Sequence, residues 1–182
     1  MNKEIEIKFL NINKNGLREL LRQKWYICHK EEFMMLRKTF HNKNSSRNEW
    51  FRLRVIWEET TLTYKCIHNH SSEWIEEIET VVLDFENTAE ILLKTWLTNS
   101  STQENYREIW KKWKIEVCID TWPNIKPYVE IEAPSSEELF LTVEELWFRK
   151  EEWVYWWVEV IYELELWIPQ KEFIQIPEIT FK

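Results

Sequence analysis

The chain has 182 residues, of which 44% are hydrophobic and 31% are charged, and its formal net charge is -8. This mixture predicts one globular domain over residues 1–182, and the acidic balance argues against nucleic acid as a general partner because phosphate backbones are bound by surplus Lys and Arg. Apolar runs fall far short of the roughly 20 residues of a membrane span, and no apolar signal segment opens the sequence, so we expect no membrane partner and a cytoplasmic location.

Hydrophobic periodicity predicts a chain in which antiparallel strands dominate and helices are inserted between them. Alternation predicts strands over residues 3–12, 26–40, 50–56, 60–67, 75–83, 106–112, 114–119 and 127–133. Helical spacing predicts helices over residues 14–24, 88–95, 139–146 and 151–165, with the capping signal PSSEE ahead of the third. This order indicates an α+β domain built on a meander or barrel.

Ionic side chains occupy one face of about six predicted strands, and apolar side chains occupy the other face. The ionic positions are Glu4, Glu6, Lys8, Arg52, Arg54, Lys65, Glu77, Glu79, Arg107, Glu116, Asp120, Glu130 and Glu132. One interpretation is that the ionic side chains form the solvated face of a half-buried sheet, which is the usual origin of such alternation. The other interpretation is a sheet closed with its ionic faces inward, and the ExExK, RxR and ExE groupings favour it. Because poorly paired buried ions are costly, we expect a charged interior to serve a function.

The chemistry of these side chains indicates two kinds of ligand. Carboxylates suit Mg²⁺ or Mn²⁺, which prefer oxygen ligands, and the candidate metal ligands are Glu4, Glu6, Asp120, Glu130 and Glu132. Arg and Lys suit phosphate oxygens, and the candidate phosphate-binding residues are Lys8, Arg52, Arg54, Lys65 and Arg107. A triphosphate with a divalent ion would neutralise both sets.

Glycine is nearly absent and tryptophan is abundant. The chain has one Gly and 13 Trp, whereas an average usage of about 7% would give roughly 13 Gly. Trp25, Trp96 and Trp147 follow predicted helices, and Trp57 and Trp113 lie between alternating runs, all at positions that favour Gly. One hypothesis is that many of these Trp are Gly in the organism, through a code that reads UGA as Gly. The alternative is an aromatic-rich natural or engineered sequence.

Seven motifs, in order, resemble those of the CYTH domain, or triphosphate tunnel metalloenzyme family, which includes class IV adenylyl cyclases, thiamine triphosphatases and inorganic tripolyphosphatases. The motifs are EIEIK, FRLR, LTYK, EEIE, REIW, EVCIDTWP and KPYVEIE. The resemblance implies an eight-stranded antiparallel β tunnel with helices covering its outside, and metal-dependent chemistry on a triphosphate. It also implies that the metal and phosphate residues named above keep those roles and that Glu6, Lys65 and Arg107 are catalytic. Related proteins are often dimers, so a homodimer is one possible state, and the sequence leaves the oligomeric state open. Trp147 and Trp167 fall where family members carry Gly.

Two reactions suit such a site. Water as the nucleophile makes the protein a triphosphatase, acting on ATP, thiamine triphosphate or tripolyphosphate, whereas the ribose 3′-hydroxyl of ATP makes it a cyclase that releases cyclic AMP and pyrophosphate. We favour hydrolysis, because water needs no base-specific pocket and the sequence encodes no evident one. A non-catalytic polyphosphate- or nucleotide-binding module is the third alternative.

Several other residues could have a chemical function, but a purely structural role is the favoured interpretation for each of them. His68 and His70 could bind a metal, but exposed loop histidines are the favoured interpretation. Tyr155 and Tyr162 could contact a base, but core packing is favoured. The three cysteines are scattered without CxxC spacing, so we expect reduced thiols with no disulfide or zinc role.

Overall fold

The computed structural model describes residues 5–42, 44–45, 48–67, 75–154 and 157–181. The strands are β1 (Ile5–Phe9), β2 (Ile27–His41), β3 (Asn48–Ile56), β4 (Glu59–Ile67), β5 (Ile75–Val82), β6 (Thr98–Lys112), β7 (Ile115–Thr121), β8 (Tyr128–Ala133) and β9 (Glu178–Ile179). The helices are α1 (Lys14–Gln23), α2 (Phe85–Lys94), α3 (Ser136–Glu145), α4 (Val158–Leu166) and α5 (Gln170–Phe173), and a 3₁₀ turn spans Lys150–Glu152.

The strands form a sheet in the order β1-β8-β7-β6-β2-β3-β4-β5, to which the short β9 adds by parallel pairing with β6. This confirms the predicted α+β class and its eight antiparallel strands. In this order β1 and β5 are the two end strands. Within the described ranges no hydrogen-bonded pairing joins these two strands, so the closed ring of hydrogen bonds expected for a barrel is not observed.

The chain divides by its internal contacts into two units. The first comprises Met1–Phe33 and Tyr106–Trp167, and the second comprises Met34–Asn105 and Ile168–Lys182. The extent of the domain over residues 1–182 stays a prediction.

The core of the first unit lies between helices α1 and α3 and one face of the strands β1, β7 and β8. Leu17 and Leu21 are four residues apart, on one face of α1, and both are buried. The helix begins after Asn13, whose side-chain oxygen accepts a hydrogen bond from the backbone N–H of Gly16 at 3.0 Å. The strands contribute Ile7, Phe9, Val117, Ile119, Val129 and Ile131 to this core. Each large apolar side chain buried in this way stabilises the fold by about 1.5–3 kcal/mol.

The second unit has its own core beneath α2. Phe40 on β2 and Leu53 on β3 are fully buried and pack with Ala89 and Leu92 of the helix. α2 begins three residues earlier than the sequence pattern predicts, because the side chain of Asp84 caps it by accepting a hydrogen bond from the backbone N–H of Asn87 at 2.7 Å.

Two predicted elements differ from the structure by more than a shift of about three residues at either end. β6 begins at Thr98 rather than at residue 106, and the polar segment that precedes residue 106 is strand. The helix predicted over residues 151–165 is wrong at Trp153 and Val154, whose backbone is extended. There the backbone of Val154 pairs with that of Lys8 through hydrogen bonds of 3.0 and 2.8 Å, and α4 begins only at Val158. None of the helices in the described part of the chain combines the length and the apolar character that a membrane span requires.

Candidate active site

Strand alternation places ionic side chains of the first unit opposite its core. On β1 and β8, Ile7 and Ile131 point into the core and are fully buried. Their neighbours Lys8 and Glu130 therefore lie on the other face. The strand register pairs these two residues directly. In the same way it pairs Arg107 on β6 with Asp120 on β7.

Arg107 and Lys8 connect three carboxylates into one ionic network. The Nε and Nη2 atoms of Arg107 donate to the two oxygens of Asp120 at 2.8 and 2.6 Å, and Nη2 also donates to Oε1 of Glu130 at 3.1 Å. Lys8 Nζ lies 3.1 Å from the other oxygen of Glu130 and donates to Glu6 Oε1 at 2.8 Å. Lys8, Asp120 and Glu130 are buried, whereas the Glu6 side chain is 48% exposed.

The electrostatics of this network keep its central groups ionised. Burial alone would raise the pKa of Glu130, but the positive charges and hydrogen bonds of Lys8 and Arg107 outweigh it and lower that pKa to about 2. Burial would lower the pKa of Lys8, and the carboxylates of Glu130 and Glu6 instead raise it above its usual range. The pKa of Arg107 is likewise raised, against the effect of burial, by Asp120.

A row of carboxylates crosses the first unit beside this network. Glu6, Glu132 and Glu116 occupy paired positions on β1, β8 and β7. Directly paired residues have Cβ atoms about 4.5–5.5 Å apart, and like charges at that distance repel. Glu116 forms an ion pair of 2.8 Å with Lys111. Such an all-oxygen donor set suits a hard divalent cation. However, no group of three or more metal-ligating side chains is assembled into a formed metal centre within the described residues.

The second unit carries a cluster of cations on the face opposite its own core. Lys65 Nζ lies 2.9 Å from a Glu77 oxygen. The guanidinium of Arg52 is 3.6 Å from Glu77 and 3.8 Å from Glu79, and that of Arg54 is 3.6 Å from Glu79. The Arg side chains are 16% and 17% exposed and that of Lys65 is 10% exposed. These side chains are therefore mostly desolvated, and the two guanidinium groups lie beyond direct hydrogen-bond distance of these carboxylates.

Neighbouring strands complete the cationic cluster. Arg37 on β2 is paired in register with Arg54, and its Nη2 donates a hydrogen bond to the fully buried side chain of Asn105. Thr63 is fully buried, and its hydroxyl donates to Glu79 at 2.6 Å. Like charges on adjacent strands repel, so an anion between them would be stabilised.

The structure divides the predicted site residues between the two units. Glu6, Lys8, Arg107, Asp120, Glu130 and Glu132 lie on the polar face of the first, and Arg52, Arg54 and Lys65 lie on that of the second. The predicted ligand Glu4 lies outside the described residues, as do His68, His70 and Tyr155. Tyr162 is a buried packing residue whose hydroxyl donates to the Pro123 carbonyl at 2.5 Å.

Sequence reasoning missed Arg37 and did not include Glu116 among the metal ligands. Arg37 has a weaker signal than Arg52, because it lies between Leu36 and the charged Lys38, whereas Arg52 lies between the apolar Phe51 and Leu53. Glu116 lies on the ionic face, yet only the strand register shows that it is directly paired with Glu132.

The chain belongs to the CYTH domain family, whose model matches residues 2–154. A search of curated protein sequences found no match. Among solved structures, the chain resembles a conserved hypothetical protein from Pyrococcus furiosus, with 21% identity, a TM-score of 0.69, and coverage of 83% of this chain and 94% of that one. It also resembles a "putative adenylate cyclase" from Vibrio parahaemolyticus, with 11% identity, a TM-score of 0.75, and coverage of 89% and 98%. A third is the Hippeastrum "putative adenylyl cyclase HpAC1", described with a dominant triphosphatase activity, with 15% identity, a TM-score of 0.55, and coverage of 78% and 84%.

Proposed function

We propose that this protein is a divalent-metal-dependent enzyme that hydrolyses an organic or inorganic triphosphate. The observation that carries the proposal is the arrangement of charge in each unit. All the described ionic residues that the family pattern predicts to bind ligand lie on polar faces opposite the apolar cores. Among the polar-face residues described above, carboxylates outnumber cations in the first unit, whereas in the second unit the cations Arg37, Arg52, Arg54 and Lys65 outnumber the carboxylates Glu77 and Glu79. A divalent metal ion is bound by carboxylates, and phosphate is bound by Arg and Lys, so a metal–triphosphate ligand requires both sets of groups.

The cationic cluster of the second unit supplies the proposed phosphate-binding groups. Arg52, Arg54 and Lys65 are mostly desolvated, which strengthens their attraction for phosphate oxygens. Planar guanidinium groups match phosphate oxygens in pairs, and Lys adds a point charge. In hydrolysis these cations would stabilise the charge that develops as the terminal phosphate departs, and Lys65 and Arg107 are the proposed catalytic cations.

The acidic face of the first unit supplies the proposed metal ligands. Glu6 and Glu132 are paired across β1 and β8, and the family pattern adds Glu4. Asp120 and Glu130 are predicted metal ligands as well. However, both oxygens of Asp120 contact Arg107, and the two oxygens of Glu130 contact Arg107 and Lys8. Their first role in this proposal is therefore to hold those cations in place. A bound Mg²⁺ or Mn²⁺ would neutralise phosphate charge and lower the pKa of a water.

Adenylyl cyclase activity is the second candidate, because the similar Vibrio protein is described as a "putative adenylate cyclase", whereas the Hippeastrum protein is described with a dominant triphosphatase activity. The charged groups serve either reaction, because both break a phosphoanhydride bond. The two differ in the nucleophile, which is water in hydrolysis and the ribose 3′-hydroxyl in cyclisation. Hydrolysis requires no contact to a base, so we retain it as the main proposal.

One assay separates the candidates. The purified protein is incubated with Mg²⁺ or Mn²⁺ and with ATP, thiamine triphosphate or tripolyphosphate, and phosphate and cyclic AMP are both measured. Phosphate release that stops on chelation by EDTA and returns with added metal supports the proposal. Cyclic AMP as the main product of ATP supports the cyclase. Binding of triphosphate with no product indicates a non-catalytic module.

Paired variants connect the activity to the proposed site. Arg54→Gln removes a mostly desolvated cation of the cluster, so we expect it to abolish most of the turnover. Arg149→Gln is the matched control, because Arg149 is 74% exposed and forms an ion pair only with nearby Glu152 in the described contacts. Equal activity in the two variants would contradict the assignment of Arg54.

A further inference from the structure

Six tryptophans have a backbone conformation that large side chains rarely adopt. Their φ angles are positive, at 65° for Trp25, 60° for Trp57, 70° for Trp96, 56° for Trp113, 62° for Trp147 and 57° for Trp167. The other positive-φ residues in the described part of the chain are Asn11 and Asn124. Asn tolerates this region, and Gly populates it without a steric penalty, whereas a bulky aromatic residue there is an outlier.

Two of these tryptophans close helices with the hydrogen bonds of a Schellman motif. After α1, the N–H of Trp25 donates to the carbonyl of Arg22 at 3.1 Å, and the next N–H, of Tyr26, donates to Leu21 at 2.9 Å. After α3, Trp147 and the residue that follows it make the same pair of bonds, at 3.1 and 3.0 Å. The left-handed residue of this motif is usually Gly.

Two more tryptophans follow helices in the same way. The N–H of Trp167 donates to the carbonyl of Glu163 at 3.1 Å, which is the single bond of the αL cap, and Pro169 follows two residues later. Trp96 comes two residues after the last residue of α2 and has the largest φ of the six. Four helices of this chain are thus followed by Trp where Gly is the usual residue.

The last two tryptophans open two-residue hairpin turns. Ile56 pairs with Glu59, so Trp57 and Glu58 form the turn between β3 and β4. Trp113 has the same place between β6 and β7, where Lys112 pairs with Ile115. In each turn only the first residue has positive φ. That is the φ pattern of a type II′ turn, which has Gly at this position.

The same six side chains are strongly exposed, between 64% for Trp57 and 93% for Trp113. Trp110 and Trp122, in contrast, are buried and packed, as tryptophan usually is in folded proteins. Trp110 is 2% exposed and its indole N–H donates to Glu108 at 2.6 Å. Trp122 is 3% exposed and meets the Tyr162 ring edge-on at 6.5 Å. Neither buried residue has positive φ.

We infer that the native residue at the six positive-φ positions is glycine, encoded by UGA in an organism that reads this codon as glycine. Reading UGA as tryptophan would convert such glycines, and no other residue, into tryptophan. It therefore accounts together for the single Gly, the 13 Trp, the positive φ angles and the exposure. An aromatic-rich sequence accounts for the composition but not for the placement, because selection would put indoles in the core or on a ligand. In consequence, the exposed indoles are not a surface for stacking bases.

The gene and the native protein test the inference directly. We expect UGA at codons 25, 57, 96, 113, 147 and 167 and UGG at codons 110 and 122, and peptide mass spectrometry of the protein from its source should find glycine at the first set. UGG at the six codons, or tryptophan in those native peptides, would overturn the inference. UGA at codons 110 and 122 as well would refute the structural criterion that separates the two sets.

Thermal unfolding of variants tests the backbone argument by itself. Trp25 and Trp147 are each replaced by Gly, Asn and Ala in the chain that carries tryptophan at all six positions. If positive φ is the cause, the melting temperature should rise most for Gly, less for Asn and least for Ala. If only removal of an exposed indole matters, Ala should equal Gly, which would contradict the argument. Trp110→Gly, at a buried position with ordinary backbone, is the control and should lower the melting temperature.

Discussion

Replacing Glu130 with Gln tests the charged network of the first unit most sharply. The substitution keeps the size of the side chain but removes the charge that Lys8 and Arg107 share at 3.1 Å each. The pKa of Glu130 falls from the ordinary 4.5 to about 2 in the fold. At about 1.4 kcal/mol for each pKa unit, this corresponds to about 3 kcal/mol of stability held by the ionised form. Loss of one partner of a buried ion pair typically costs about 3–5 kcal/mol, which agrees.

The pH dependence of that loss has a definite sign. Because the pKa is lower in the folded state than in the unfolded state, the stabilisation by ionised Glu130 is fully present above pH 4.5 and disappears as pH falls toward about 2. The difference in unfolding free energy between the unsubstituted chain and Glu130→Gln should therefore be largest near neutral pH. This difference should narrow steadily in acid, where the Glu130 carboxyl of the unsubstituted chain becomes protonated.

Urea unfolding of both proteins from neutral pH to about pH 3 measures this difference. Glu152→Gln is the control, because Glu152 belongs to an exposed ion pair with Arg149, and its unfolding midpoint should not change. Identical midpoints for Glu130→Gln and the unsubstituted chain at neutral pH would refute the reasoning. So would a difference that stays constant throughout the acid range, since the charge of Glu130 would then not be its cause.

Three further predictions concern the turns, the caps and the phosphate-binding cluster. Trp57→Gly should stabilise the protein by about 1 kcal/mol, because the left-handed conformation costs a non-Gly residue about 1–2 kcal/mol; an unchanged melting temperature would contradict this. Ser135→Ala should lower the unfolding free energy by about 1 kcal/mol, because it removes the side chain that accepts a hydrogen bond from the Glu138 N–H at 3.2 Å; urea unfolding measures the change, and none is expected for Ser136→Ala. Arg52→Lys keeps the charge but loses the guanidinium fork, so KM for the triphosphate should rise on the order of tenfold with little change in stability; steady-state kinetics at fixed metal concentration check this, and an unchanged KM would count against a forked contact to phosphate.

Local patterns predicted most of the elements correctly. In FRLR and EVCID the sequence alone shows which side chains share a strand face, because successive side chains of a strand point to opposite faces whatever the partner strand is. Asn13 and Ser135 cap their helices through groups three residues away. The positions of Trp25 and Trp57 at a helix end and in a turn also depend only on their neighbours in the chain. These features could therefore be read from the sequence.

Elements that depend on distant partners were predicted poorly. Residues 98–105 are too polar to suggest a strand, yet pairing with other strands makes them one, and the buried Ser101, Gln103 and Asn105 show how much polar surface the fold encloses there. Val154 lies in a segment with helical periodicity but is held extended by hydrogen bonds to Lys8, 146 positions earlier in the chain. Helix propensity is weak enough for such tertiary contacts to override it.

The sequence by itself determined which strand faces are ionic, which are apolar, and which tryptophans occupy glycine-like positions, because each of these follows from spacing along a few residues. Only the tertiary structure decided that Arg107 pairs with Asp120, that both oxygens of Glu130 contact cations, and that Arg37 lies beside Arg54. These contacts depend on strand register between distant segments. A shift of one residue would turn every such side chain to the other face, and the packing of the core fixes that register.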